Sequence, residues 1–429
     1  MIVKSRGVAT RDDTISPRVL PVFARQSQSL SMPHILVLQF LNLLMGGGCY
    51  LVAVTSFGVW SSAGWSAVAT GASMMAANLA YGGLVSFGGR LADGWGRART
   101  AVSGAVLAVL GALVAAVGDS AWSAVVGTFV CFAGSAFFFP GNAGLFSDAK
   151  TSGGDHVPLH TKVSRYNLGW SSGNLCGFGL AWILADGSVG RGYWFAGGCF
   201  LVIAAVMLRW WKLPAQAPTA SGDRADHPAL KLLTRMGRVG LLLYCLAGMA
   251  LISLLENTLS QKLDSRTAHQ IATAALVAYA AGYFIGFVVL GAWSGWVMRP
   301  WRLFALATGM LVAAAGFIVC GVYQVVQVAP LAGCGFLLGL AFAAVYTASL
   351  YYSLRLPTGA ARAAGLHETY LGVGATLGPL ACGLFLSGWT NALAGLGVYI
   401  AVGAVLVLGW QVSQIPKITQ LLRQHPTDS

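Results

Sequence analysis

Residues 88–99 read GGRLADGWGRAR, which packs three arginines, one aspartate and four glycines into a dozen positions. On either side lie apolar runs at 64–88 and 100–118, each near the ~20 residues that a helix needs to cross a bilayer core. A short charged, glycine-rich stretch between two such runs reads as a tight loop at a membrane surface. The same alternation continues along the chain. Further apolar runs fall at 34–57, 120–146, 160–185, 192–211, 239–262, 267–293, 301–321, 324–353, 361–387 and 391–413.

Composition agrees with that reading. Of 429 residues, 56% are hydrophobic and 9% charged, and the mean hydropathy is +0.70. Soluble domains carry about a quarter of charged residues, so the chain is expected to be an all-α polytopic membrane protein with twelve transmembrane helices. An even number of spans puts both termini on one side.

Of the 26 Lys and Arg residues, only Arg191, Lys262 and Arg266 fall outside the N-terminal segment, every second loop and the C-terminal tail. Positive loops stay in the cytoplasm. Both termini are therefore expected to be cytoplasmic, in the plasma (inner) membrane. The net charge of +13 is spread over one membrane face without a nucleic-acid-binding motif, so it reads as a topology signal and no nucleic-acid partner is expected. Residues 1–33 lack the apolar core and small-residue site of a cleaved signal peptide, which leaves the first span as an uncleaved anchor.

The eight cysteines, Cys49, Cys131, Cys176, Cys199, Cys245, Cys320, Cys334 and Cys382, all lie in apolar runs with no CxxC pair. They read as small packing residues, and no metal or other cofactor is expected.

The stretch 209–238, RWWKLPAQAPTASGDRADHPALKLLTRMGR, is the one long polar segment after the N-terminal tail. It divides the chain into a cytoplasmic tail 1–33, a first six-helix bundle 34–208, a cytoplasmic linker 209–238, a second six-helix bundle 239–413 and a cytoplasmic tail 414–429. Weak internal symmetry supports the division, because GSAFFFPGNAGLF at 134–146 aligns with GLAFAAVYTASLY at 339–351, and YNLGWSSGNLCG at 166–177 with HETYLGVGATLG at 367–378. Two pseudo-symmetric bundles with a midplane site between them are a common transporter plan.

With the loop placed between spans 2 and 3, Gly89 to Arg99 resembles the G-x-L-a-D-r-x-G-r-k signature of the major facilitator superfamily. Gly89, Asp93, Gly96 and Arg97 match it, whereas Gly94 and Ala98 replace its usual basic residues. The equivalent second-half loop, GAWSGWVMRPWR at 291–302, keeps Arg299 but lacks the aspartate. The resemblance implies that Asp93 contacts the start of span 11, that Arg97 contacts a carboxylate at the end of span 4, where Asp148 stands, and that these contacts latch a cytoplasmic gate. It also implies a monomer that takes a small-molecule substrate into a cavity lined by spans 1, 2, 4, 5, 7, 8, 10 and 11. GATLGPLACG at 374–383 resembles the glycine-proline signature that drug antiporters of the superfamily carry in span 5, but span 5 lacks the proline and span 4 the buried arginine of those proteins. That subclass is therefore not assigned.

Ionisable residues inside apolar spans are costly and usually face a cavity. Glu256, beside Asn257 in LLENTLSQ, is read either as a proton-coupling acid or as a carboxylate of the outer vestibule paired with Lys262. Glu368, next to His367, reads as a carrier of a proton or cation, or as part of the gate. Arg165 and Asn167 occupy the matching depth in span 5, where Arg165 lines the gate or attracts an anionic substrate. Gln39, Asn42, Asn78, Tyr81, Asn142, Asn174, Tyr279 and Tyr346 add neutral donors and acceptors on the spans that the resemblance assigns to the cavity. Each is equally an interhelical hydrogen bond worth about 0.6 kcal/mol.

Two motifs carry no chemistry. GWSSG at 169–173 fits G-x-S-x-G, but a nucleophile elbow needs a strand-turn-helix, and His367-Glu368 has no second histidine four residues on. The chain is thus expected to be a secondary transporter, coupled to protons and not an enzyme; the alternative is a transport-inactive receptor or assembly protein of the same fold.

Overall fold

The computed structural model describes residues 34–65, 67–149, 157–184, 190–213, 228–260, 262–356 and 359–424. The N-terminal tail and most of the central linker lie outside these described residues. Among the described residues there are thirteen α-helices: α1 (Ile35–Ser62), α2 (Ala67–Trp95), α3 (Arg97–Val117), α4 (Ala121–Asp148), α5 (Leu159–Leu184), α6 (Gly190–Leu208), α7 (Pro228–Gly248), α8 (Ala250–Ser260), α9 (Ser265–Ala292), α10 (Pro300–Val322), α11 (Val328–Arg355), α12 (Ala360–Leu386) and α13 (Ala392–Gln424). There is no strand among the described residues.

The seventh apolar run, expected as one helix, is two. α7 stops at Gly248 and α8 starts at Ala250, while Met249 still donates its amide to the Cys245 carbonyl at 3.3 Å. The interruption sits beside a glycine, a usual cause of a kink. α7 also starts at Pro228, inside the stretch expected as linker. Proline suits a first helical turn, and the segment is amphipathic, burying Ala229, Leu230, Leu233 and Met236 while exposing Lys231 and Arg235. At the other end, α13 runs on to Gln424 with Ile418 buried, past the point at which the tail was expected to begin.

Nine of the described helices are long and apolar enough to cross a membrane. α2, α5 and the α7–α8 pair are the less apolar spans. α2 packs on α4 and α12, and α5 on α1 and α9, so their polar side chains find protein partners rather than lipid.

Close backbone approach sets the positions of these helices. A Cβ on Gly46 of α1 would come within 2.8 Å of the Trp170 carbonyl of α5. Along the α2–α12 seam, a Cβ on Gly372 would lie 2.7 Å from the Gly82 Cα, and one on Gly89 would lie 3.0 Å from the Arg362 Cα. Small residues at a membrane helix crossing let the backbones touch. The turn from α2 to α3 passes through Gly96 at φ 127°, where a side chain is strained. Large apolar side chains such as Phe40, Leu110, Leu201, Val312 and Leu384 remain exposed, as a lipid-facing surface requires.

Replacing Gly89 with Val should push α2 away from α12 and destabilise the protein by about 1–3 kcal/mol. Gly83 has nothing within 4 Å of a Cβ, so Gly83→Ala should leave stability unchanged or raise it. Thermal unfolding of the two variants in detergent checks the contrast.

Candidate functional site

Asp93 lies in the last turn of α2, where the GGRLADGW sequence ends the helix against the start of α12. Its carboxylate accepts hydrogen bonds from the backbone N–H groups of Ala361 at 3.3 Å and Arg362 at 2.8 Å. The residue at the N-cap of α12 is Gly359, which supplies no side-chain cap. Asp93 thus caps α12 from another helix, satisfying two of the donors that every helix start leaves unpaired and placing a negative charge at the positive end of the helix dipole.

Arg97, in the first turn of α3, is 6% exposed and forms an ion pair with Asp148 in the last turn of α4. It also donates to the Gly144 carbonyl at 3.0 Å and lies 3.5 Å from Asp93. The four helices α2, α3, α4 and α12 are therefore joined by one cluster of three charged side chains. Gly89 and Gly96 permit it: the first lets α12 approach, the second makes the turn that brings Arg97 under Asp93.

About two turns into α12, Glu368 is 4% exposed. Its carboxylate accepts from the Tyr346 hydroxyl of α11 at 2.6 Å and from the Tyr81 hydroxyl of α2 at 2.9 Å. His367, fully buried, shares a 2.8 Å hydrogen bond between Nδ1 and the Ser349 Oγ, and its ring packs edge-on to Tyr346 at 4.5 Å. Its Nε2 has no hydrogen-bond partner and stands 3.9 Å from the Glu368 carboxylate. An acid with two phenolic donors and an adjoining imidazole is chemically equipped to hold and release a proton.

The second seam, between α5 and α9, is crossed by neutral hydrogen bonds. Ser164 donates to the Phe287 carbonyl at 2.6 Å and Thr161 to the Gly291 carbonyl at 3.5 Å. Above them Trp170 of α5 meets Tyr283 and Phe287 of α9 and Phe342 and Tyr346 of α11, with ring centroids 5.3–6.4 Å apart.

The other sequence candidates separate into groups. Asn42 donates to the Tyr166 carbonyl at 2.7 Å, and Asn142 donates to Asn42 at 3.2 Å and to the Leu38 carbonyl at 3.4 Å. Both asparagines are fully buried and tie α1, α4 and α5 together. Asn167 donates to Thr347 of α11 at 3.4 Å, a further link from α5 to α11. Tyr279 is buried beside Tyr283 and Phe342. Gln39, Asn78 and Arg165 are half-buried and join none of these networks. The side chains of Glu256 and Asn257 lie outside the described residues. The aromatic residues Trp170, Tyr283, Phe287 and Phe342, and Ser349 beside His367, were not singled out from the sequence, since apolar or small residues in an apolar helix carry no local signal.

The long apolar helices define a multi-pass membrane protein. The chain belongs to the major facilitator superfamily: the family model of that description matches residues 35–357. Comparison with curated proteins finds no match. Among solved structures, the chain is similar to the transporter FucP in the outward conformation, at 15% identity over 87% of this chain and 98% of that one, with a TM-score of 0.62. A variant of the E. coli fucose:proton symporter FucP gives 16%, 89%, 98% and 0.65. The human organic anion transporter MFSD10 (TETRAN) gives 16%, 90%, 98% and 0.58. At these identities the likeness is one of fold.

Loss of a side-chain cap costs about 0.5–2 kcal/mol, whereas removing one partner of a buried ion pair costs about 3–5 kcal/mol. Asp93→Ala should therefore loosen the α2–α12 seam with a modest loss of stability, and Arg97→Met should destabilise the protein more. Melting temperatures, with the alkylation rate of a cysteine placed at 362, separate the two effects.

Proposed function

We propose that the protein is a secondary active transporter that moves a small solute across the plasma membrane by alternating access of its first six and last six spans, coupled to protons through Glu368. Both termini and the Asp93 end face the cytoplasm in this reading, as the distribution of Lys and Arg supports.

One observation carries the coupling. Glu368 is a buried carboxylate whose two hydroxyl donors come from opposite sides of the α2–α12 seam. When the cytoplasmic side opens, that seam has to part, so the surroundings of the acid change with the transport cycle. A group that changes its surroundings between two states binds its proton differently in them, and this is the thermodynamic requirement for coupling. Asp93, Arg97 and Asp148 hold the cytoplasmic side shut, and the Trp170 cluster packs α5 against α9 and α11. In this reading the half-buried Arg165, Gln39 and Asn78 are the side chains left to meet the substrate.

An enzymatic role is not supported. Ser349, His367 and Glu368 converge, but Ser349 is fully buried and its hydroxyl contacts Nδ1 while the acid lies toward Nε2, so no path leads a substrate to the hydroxyl. Membership of a transporter family points the same way.

Purified protein in liposomes should accumulate its solute when the outside is made more acid, in a panel of sugars, organic acids, amino acids and organic cations. Deoxyhexoses and organic anions are natural first choices, given the substrates named for the proteins of similar fold. Glu368→Gln should abolish accumulation driven by the pH gradient, by at least ten-fold, while solute exchange under equilibrium conditions persists. Accumulation that survives in Glu368→Gln but fails in Glu256→Gln would move the coupling site to α8.

A further inference from the structure

α7 and α13 lie side by side, and two hydrogen bonds give their register. The Tyr399 hydroxyl of α13 donates to the Leu246 carbonyl of α7 at 3.0 Å, and the Trp410 indole donates to the Met236 carbonyl at 3.3 Å. The helices are therefore antiparallel, and the residues of α13 that follow Trp410 run alongside the first turns of α7. This is the Asp93 end of the bundle, because Arg238 of α7 donates to the Ala363 carbonyl in the first turn of α12, next to the amides that Asp93 caps.

Both helices continue past the apolar runs here, α7 from Pro228 and α13 as far as Gln424. Neither contains an aspartate or a glutamate, whereas Arg235 of α7 and Lys417 of α13 are exposed. Arg235 is placed more firmly than an ordinary surface arginine. Its guanidinium stands 5.7 Å from the centroid of the Trp410 ring, a cation–π distance, and that ring is itself held by its bond to Met236.

Back along α13 from Lys417, steps of three and four residues pass Ser413 and reach Trp410, Leu406 and Val402, so these residues share one face of the helix. Lys417, Leu406 and Val402 are exposed and Trp410 is half-buried. The face thus runs from aliphatic side chains, through an indole, to a lysine, with Arg235 standing over the indole. Indoles favour the level at which the acyl chains of a bilayer give way to its headgroups. The order of groups along α13 is therefore the order of parts in a phospholipid: acyl chain, glycerol, phosphate.

We propose that this face is a binding site for an anionic phospholipid, its phosphate held by Arg235 and Lys417 and one acyl chain lying along Leu406 and Val402. The site stands independently of the transport reading. Trp410 and Lys417 are separated by roughly 10 Å of helix at 1.5 Å per residue, a gap that two long basic side chains close from either end. A guanidinium offers paired donors to phosphate oxygens, and basic side chains just outside a span attract anionic lipids. Two cations on helices without a carboxylate suit a headgroup of net negative charge such as phosphatidylglycerol. A choline headgroup would bring its own cation against them.

The test is native mass spectrometry of the full-length protein in detergent, titrated with dioleoyl phosphatidylglycerol or dioleoyl phosphatidylcholine. The wild type should retain a first phosphatidylglycerol at several-fold higher occupancy than phosphatidylcholine. Arg235→Gln and Lys417→Gln, both at exposed positions, should each lose most of that preference. Arg90→Gln removes one exposed positive charge near the end of α2, on the same membrane face, and should keep it. Dihexanoyl phosphatidylglycerol carries the same headgroup on chains too short to follow α13 and should bind several-fold more weakly.

The control at Arg90 separates a built site from a diffuse attraction of anionic lipid to a basic face, which would weaken all three variants alike. Such a uniform loss overturns the proposal, as does a wild type that retains the two dioleoyl lipids equally or an Arg235→Gln protein with undiminished preference. Short-chain lipid bound as well as long-chain lipid would make this a site for phosphate alone and overturn the lipid assignment.

Discussion

The start of α12 depends on a carboxylate from elsewhere. A helix that begins with Gly359 followed by alanines has no side chain of its own to accept from its first N–H groups. Asp93 of α2 supplies it. The join is strong because charge, dipole and hydrogen bonding act together, and it is breakable because the two partners lie on different spans. Everything else at this end of the bundle is arranged around it. Gly89 lets the backbones come close enough, Gly96 turns the chain, and Arg97, held by Asp148 and the Gly144 carbonyl, balances the charge of the aspartate.

The buried polar groups divide into those that join helices within the first six spans and those that join the first six spans to the last six. Asn42 and Asn142 bond one another and neighbouring backbone within α1, α4 and α5, which ties these three helices of the first bundle together. Glu368, Tyr81, Asn167 and Thr347 instead form links from the first six spans to the last six. In a protein that alternates between two arrangements, a hydrogen bond within one bundle adds stability to both, whereas one between the bundles sets the balance between them. The same donors and acceptors therefore serve different ends, according to which helices they join.

Much of the architecture was legible from composition and spacing. Apolar runs of membrane-spanning length and the one-sided distribution of Lys and Arg gave a polytopic helical protein, and the loop signature marked Asp93 and Arg97 as residues that reach other helices. Glu368 and His367 stood out because charge is rare in apolar spans. Tyr81 and Tyr346 were marked as neutral donors, but their pairing with Glu368 was not legible, since Tyr81 lies 287 positions away. The interruption of span 7 at Met249 and the helical start at Pro228 also escaped hydropathy, which averages over some 20 residues and so blurs both a one-residue break and an amphipathic extension lying outside the apolar run.

By itself, the sequence determined that the chain crosses a membrane many times, which of its loops are basic and which few charges lie in apolar surroundings, because these are properties of local composition and follow from the cost of burying charge in lipid. Only the tertiary structure decided which helices those charges join. Asparagines at similar depth became a structural clamp, Arg165 was left outside the networks, and one glutamate was set between hydroxyls of opposite bundles, because contacts between helices depend on how their backbones approach, and glycine positions hundreds of residues apart combine to fix that approach only once the chain has folded.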